Sequence, residues 1–144
     1  MSTVTERNVN LFKQHITEID FYMEENYNQN GTFFTINEKT NNGANVRIIA
    51  SFSNEYPSVD VYCFNLAEIS NPLKREIALK HINELNINYR FSKFLLNEEG
   101  SVSIQSSLDF TDNNFNPELV IKHIMMLYHA ANDEFQNFMK IAWA

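Results

Sequence analysis

The stretch HINELNINYRFSKFLLNEEGSVSIQSSLDF, residues 81–110, decides how this chain folds, because a helix ends in it and a strand pair begins. The helix opens upstream, where Asn71 is placed to cap it. Pro72, at the first helical position, surrenders a donor that would be unpaired there anyway. It is expected to run to about Leu85, with Asn86 supplying the left-handed residue after its end. Two strands follow, over residues 89–97 and 101–109, joined by NEEGS. Gly100 there suits the left-handed position of a three-residue bulged hairpin loop. That loop sets Asn97 opposite Ser101, Leu96 opposite Val102 and Phe94 opposite Ile104. Phe94, Leu96, Val102, Ile104 and Leu108 then share one face, and Tyr89, Phe91, Lys93 and Leu95 take the other.

Working outward, Thr3 and Glu6 can form a capping box for a first helix expected from about Thr5 to Tyr27. Val9, Phe12, Ile16, Ile19, Met23 and Tyr27 form its apolar stripe, and Phe21 falls off it. NQNG, residues 28–31, is read as the stop of that helix. Three strand-like runs follow at residues 32–39, 45–53 and 59–64, rich in β-branched and aromatic side chains. Asn42 and Gly43 predict a tight turn that sets Ile36 opposite Ile49, in a register that can slip by one residue. A final helix opens at Asn116 and Pro117 and runs to about Met139. Its stripe is Val120, Ile124, Leu127, Tyr128, Ala131, Phe135 and Phe138.

The expected order is helix, three strands, helix, two strands, helix. This is an α+β, two-layer sandwich of a twisted antiparallel sheet with flanking helices, as one domain over residues 1–144. At 144 residues the chain can build its own core. The formal charge of −7 has no basic patch to offset it, which disfavours nucleic acid and anionic membrane as partners. No apolar run approaches the roughly 20 residues of a membrane span. Cys63 is the single cysteine and the first residues lack a signal peptide's apolar stretch, so a cytoplasmic location is expected.

No reaction is spelled out. The four histidines have no partner at ligand spacing, and no HExxH run occurs. His81 projects between Ile77 and Leu85, as a packing residue first and a pocket base second. Cys63 alternates with Val59 and Val61 and is expected to pack as a small hydrophobe. With three glycines no phosphate-cradling loop is possible. Glu24 with Glu25 and Glu98 with Glu99 read as solvated surface rather than acid–base dyads. No catalytic residue, cofactor or metal is expected.

The second sheet face is more informative. With Val59, Val61 and Cys63 inward, Asp60, Tyr62 and Phe64 face out, as Phe91 and Leu95 do. Either a terminal helix covers this face or it is a surface for self-association or a client.

Ile82, Asn83 and Asn86, then Phe94 to Leu96, the turn Glu98 to Val102, and Asn116 to Leu119 resemble the YbjN-like family of bacterial proteins. The likeness covers about residues 71–139; the first seventy residues agree only in the order of elements. The resemblance implies a fold similar to type III secretion chaperones, which commonly dimerise and hold partner polypeptides. It also implies a role in regulating sensory transduction, and it brings no catalytic residues.

The leading expectation is therefore a non-enzymatic protein-binding domain, chaperone-like or regulatory. Its partner is a polypeptide or a second copy in a homodimer, with Phe91, Leu95, Tyr62 and Phe64 as contact residues. The alternative is a small-molecule sensor or a cryptic enzyme, with a pocket between sheet and helices near His81.

Overall fold

The computed structural model describes residues 3–144. Helix α1 (Thr3–Glu18) is followed by strands β1 (Glu24–Asn28), β2 (Gly31–Lys39), β3 (Asn45–Ser53) and β4 (Ser58–Glu68). A 3-10 turn (Pro72–Lys74) leads into α2 (Arg75–Asn88), and β5 (Lys93–Leu96), β6 (Ser101–Asp109) and α3 (Pro117–Trp143) complete the chain. The six strands form one sheet in the order β1-β2-β3-β4-β6-β5, each neighbouring pair antiparallel. The fold is the expected α+β sandwich, with one strand more than the sequence suggested.

All three helices lie on one face of the sheet. Phe12 of α1 meets Phe34 and Phe52 with ring centroids 4.9 and 5.3 Å away. Both rings stand on the same side as Val46, Ile48 and Ala50, by the alternation of burial along their strands. From α3, Val120, Ile124, Leu127 and Ala131 are buried, and Phe138 stacks on Phe94. From α2, Ala78, Ile82 and Leu85 are buried. Closing such rings off from water stabilises the fold by about 2–3 kcal/mol for each large side chain.

The cap at Asn71 is as expected, its Oδ1 accepting from Leu73 N at 3.0 Å, although the turn it caps is 3-10 before α2 begins. Asn116 caps α3 in the same way through Glu118 N, and the helix extends past Met139 to Trp143. The β5–β6 register is the expected one: Phe94 pairs with Ile104 and Leu96 with Val102. Asn97 N donates to Ser101 O, and Gly100 has φ 96.

The first thirty residues differ from their reading. Helix α1 ends at Glu18 rather than near Tyr27, and Thr3 is already helical rather than capping it. Asp20 takes φ 54, and Phe21 N closes the helix end on Ile16 O at 2.9 Å. Ile19 is exposed, while Phe21 packs partly against the core. Residues 24–28 form β1, because EENYN, a weak strand former by itself, is held by its hairpin with β2. Thus residues 28–31 make a strand turn, not a helix stop. Asn28 Oδ1 accepts from Asn30 N and Gly31 N. Gly31 sits at φ 148, where an added Cβ would meet Phe52 O at 2.1 Å. Glycine is required there.

The β2–β3 register also shifts by one. Ile36 pairs with Ile48 on the core side, not with Ile49. The reason is the longer connection: Lys39 pairs with Asn45, and Thr40 N donates across the loop to Ala44 O. Phe33 and Thr35 consequently join Ile49 on the far face.

Candidate functional site

The far face of the sheet carries no helix among the described residues. Following the strand pairings, one row across it runs Glu24, Thr35, Ile49, Tyr62, Gln105, Lys93. Phe33 lies to one side of this row, and Phe64 and Leu95 lie to the other. Tyr62 and Phe64, two apart on β4, stack with ring centroids 5.3 Å apart and planes 14° off parallel. Phe64 is 37% exposed and Leu95 41%, while Tyr62, Ile49 and Phe33 are half-buried by one another. Together Phe33, Ile49, Tyr62, Phe64 and Leu95 draw an apolar diagonal from β2 to β5.

A bulge sharpens this surface. The β4–β6 register changes between Cys63 and Ala67, and Asn65 takes φ 68. Such an extra residue bends its strand and increases the local twist. The resulting hollow, of about 650 Å³, is lined by Phe33, Arg47, Ile49, Tyr62, Phe64 and, at its far end, Glu68 and Glu99. Burial first, then the charge of Asp60, pushes the Tyr62 hydroxyl above its ordinary pKa, which keeps it a neutral donor.

Of the four expected contact residues, the structure brings Tyr62, Phe64 and Leu95 to this face and sends Phe91 elsewhere. Strand β5 begins only at Lys93, so the alternation that was to turn Tyr89 and Phe91 outward does not reach them. Phe91 instead meets the His123 ring of α3 edge-on at 5.3 Å. Tyr89 packs on Phe94, and its hydroxyl donates to Glu134 Oε2 at 2.9 Å. Lys93 curls round the sheet edge, its Nζ donating to Asn86 O and Tyr89 O at the carboxyl end of α2. Phe33 is the member that sequence reading missed. It neighbours Phe34, and two adjacent aromatics give the pattern no preference for which one faces in.

Asn86 has another role than the one expected. Helix α2 continues through it to Asn88, and its side chain reaches β5: Oδ1 accepts from Phe94 N at 2.7 Å and Nδ2 donates to Phe94 O at 3.1 Å. Alternate residues of an edge strand turn both main-chain groups away from their neighbour. At Phe94 a single amide satisfies both, closing that edge as a further strand would.

His123, His81 and Cys63 are held in packing contacts. Ser106 Oγ and His123 Nδ1 lie 2.6 Å apart, both residues buried, so the hydroxyl serves the imidazole rather than an incoming substrate. Burial, and secondarily Lys122, holds the His123 pKa below its usual value. His81 sits edge-on to Phe138 at 5.1 Å, with its Nε2 3.8 Å from Glu134 Oε1. Burial pushes the Cys63 thiol up to about 12, which keeps it protonated and unreactive. Among the described residues, no group of three or more His, Cys, Asp and Glu side chains could hold a metal ion. No helix among them is long and apolar enough to cross a membrane.

Fold and site thus define an α+β domain with one sealed sheet face and one open, aromatic-bearing face. The chain belongs to the YbjN family, described as "Putative bacterial sensory transduction regulator", whose model matches residues 43–139. That match begins at the β2–β3 turn and ends within α3, so it takes in β3, β4, α2, β5, β6 and most of α3. No curated protein matches the chain.

Proposed function

We propose that this chain is a regulatory protein-binding domain that works without catalysis, engaging a polypeptide through the open sheet face. The observation that carries this reading is the one-sidedness of the packing. Three helices cover the same face and leave Tyr62, Phe64, Ile49, Phe33 and Leu95 for a partner. The chaperone-like role and the cytoplasmic location that the sequence suggests fit the same reading. Light scattering coupled to gel filtration, with affinity capture from a bacterial lysate, tests it. Wild-type protein should capture or self-associate, and Leu95→Lys with Phe64→Ser should do neither. A monomer at micromolar concentration whose captured proteins are the same with and without those substitutions would overturn it.

A second reading has one observation in its favour. Between the end of α1 and β1 lies a cavity of about 430 Å³, walled by Ile16, Phe21, Met23 and Phe34, with Lys13 and Glu25 paired at 3.0 Å among its lining residues. Its size falls in the small-ligand range. A metabolite that raises the melting temperature of the wild type but not of Met23→Trp would support a sensing role. Indifference to a broad metabolite library would remove it.

A further inference from the structure

We infer that the open face receives a basic amphipathic helix of another protein rather than a second copy of this chain, an inference that rests on the protein-binding reading above. The face is acidic around its apolar diagonal. By the strand pairings, Glu24, Asp60, Glu68 and Asp109 stand on this side, and Glu99 lines the hollow beside them. Against these stand two cations, Arg47 and, at the end of β2, Lys39, since Lys93 is drawn off to the end of α2, so the acidic groups still outnumber the basic ones. Neither Glu68 nor Glu99 has an ion-pair partner among the described residues, whose ion pairs are Lys13–Glu25 and His81–Glu134. A second copy docked face to face would double this imbalance. A helix with Lys or Arg beside its apolar stripe would relieve it.

The geometry favours a helix over an extended strand. Within the sheet the main-chain groups of β2, β3, β4 and β6 are already paired with neighbours on both sides. A partner on this face therefore meets side chains, not backbone. The diagonal from Phe33 on β2 to Leu95 on β5 crosses four strand intervals. At about 4.8 Å each that is about 19 Å across the strands, and with about 13 Å along them between the rows of Phe33 and Leu95 the diagonal is about 23 Å, the length of roughly 16 helical residues, or between four and five turns. Anchors at i, i+4, i+7, i+11 and i+14 of such a helix, spanning about 21 Å, would fall on the apolar side chains in sequence. Basic residues at one end would reach Glu68 and Glu99.

The test uses the whole chain and two synthetic helical peptides with the same leucine stripe, one flanked by lysines and the other by glutamates. Binding is read by fluorescence anisotropy at low and high salt, with light scattering on the protein alone and circular dichroism on every variant. The lysine peptide should bind, more weakly as salt rises, and the glutamate peptide should bind at least about tenfold more weakly. Glu68→Lys with Glu99→Lys should remove that preference, and Phe64→Ser should weaken the lysine peptide while the spectrum stays native. Equal binding of both peptides, or lysine-peptide binding untouched by Phe64→Ser, overturns the inference. Self-association abolished by Phe64→Ser would also overturn it, yet leave the face an interface. No peptide binding, no self-association and no captured protein would overturn both.

Discussion

The two faces of this sheet are made by the same strands and behave as different materials. On the covered side Val46, Ile48, Ala50, Val59, Val61 and Ile104 are closed against three helices and nearly inaccessible. On the open side the same strands place Ile49, Ser51, Tyr62, Gln105 and Ser103, half-buried by each other alone. A side chain on the covered face is held by neighbours above and beside it. One on the open face has neighbours beside it only, so its removal should disturb what binds rather than what folds.

That contrast predicts a gradient of effects. Phe12→Ala empties the contact between α1 and the Phe34–Phe52 pair, and unfolding by denaturant should show a loss of about 4 kcal/mol. A loss under about 1 kcal/mol would mean that α1 is not an integral part of the sealed layer. Asn86→Ala opens the β5 edge by orphaning Phe94 N and O, and should cost about 2 kcal/mol and raise the tendency to associate through that edge. If Asn86→Asp is harmless, the Nδ2 donation to Phe94 O contributes little.

A pH titration probes the covered face at His123. Its pKa is held below the usual 6.5, so the unfolded chain takes up this proton at a higher pH than the folded one. The linked stability is fully present above that usual value and is lost as pH falls through it toward the lower folded value. The melting temperature should decline over that window, and less steeply in His123→Gln; parallel curves would rule out this residue as the source. On the open face, Phe64→Ser should change stability by no more than about 0.5 kcal/mol. A large loss there would show that the face carries structure as well as recognition.

How much was legible follows local chemistry closely. The register of the β5–β6 hairpin was readable to the residue, because Gly100 and Asn97 fix a loop whose length sets every pair behind it, although β5 begins at Lys93 and not near Tyr89. The starts of the turn before α2 and of α3 were readable from Asn-Pro. The end of α1 was not: Met23 and Tyr27 fall at helical spacing from Ile16 and Ile19, and nothing in periodicity reveals that Asp20 turns left-handed. Nor was β1, whose Glu and Asn residues are poor strand formers recruited by a hairpin with β2. Of the candidate site, Tyr62, Phe64 and Leu95 were visible as alternation. Phe91 was misplaced because alternation was extended beyond the strand's true start. The family match leaves out residues 1–42, which hold the misread end of α1 and the strand β1 that the sequence did not reveal.

The sequence by itself determined the α+β class, the two Asn-Pro helix starts and the register of the last hairpin, because each is settled by contacts within a few residues. Only the tertiary structure decided that all helices share one face, that Ile36 points inward, and that Asn86 closes a sheet edge. Those outcomes depend on which distant surfaces meet, and a pattern of period two or 3.6 says which residues share a side without saying what will cover it.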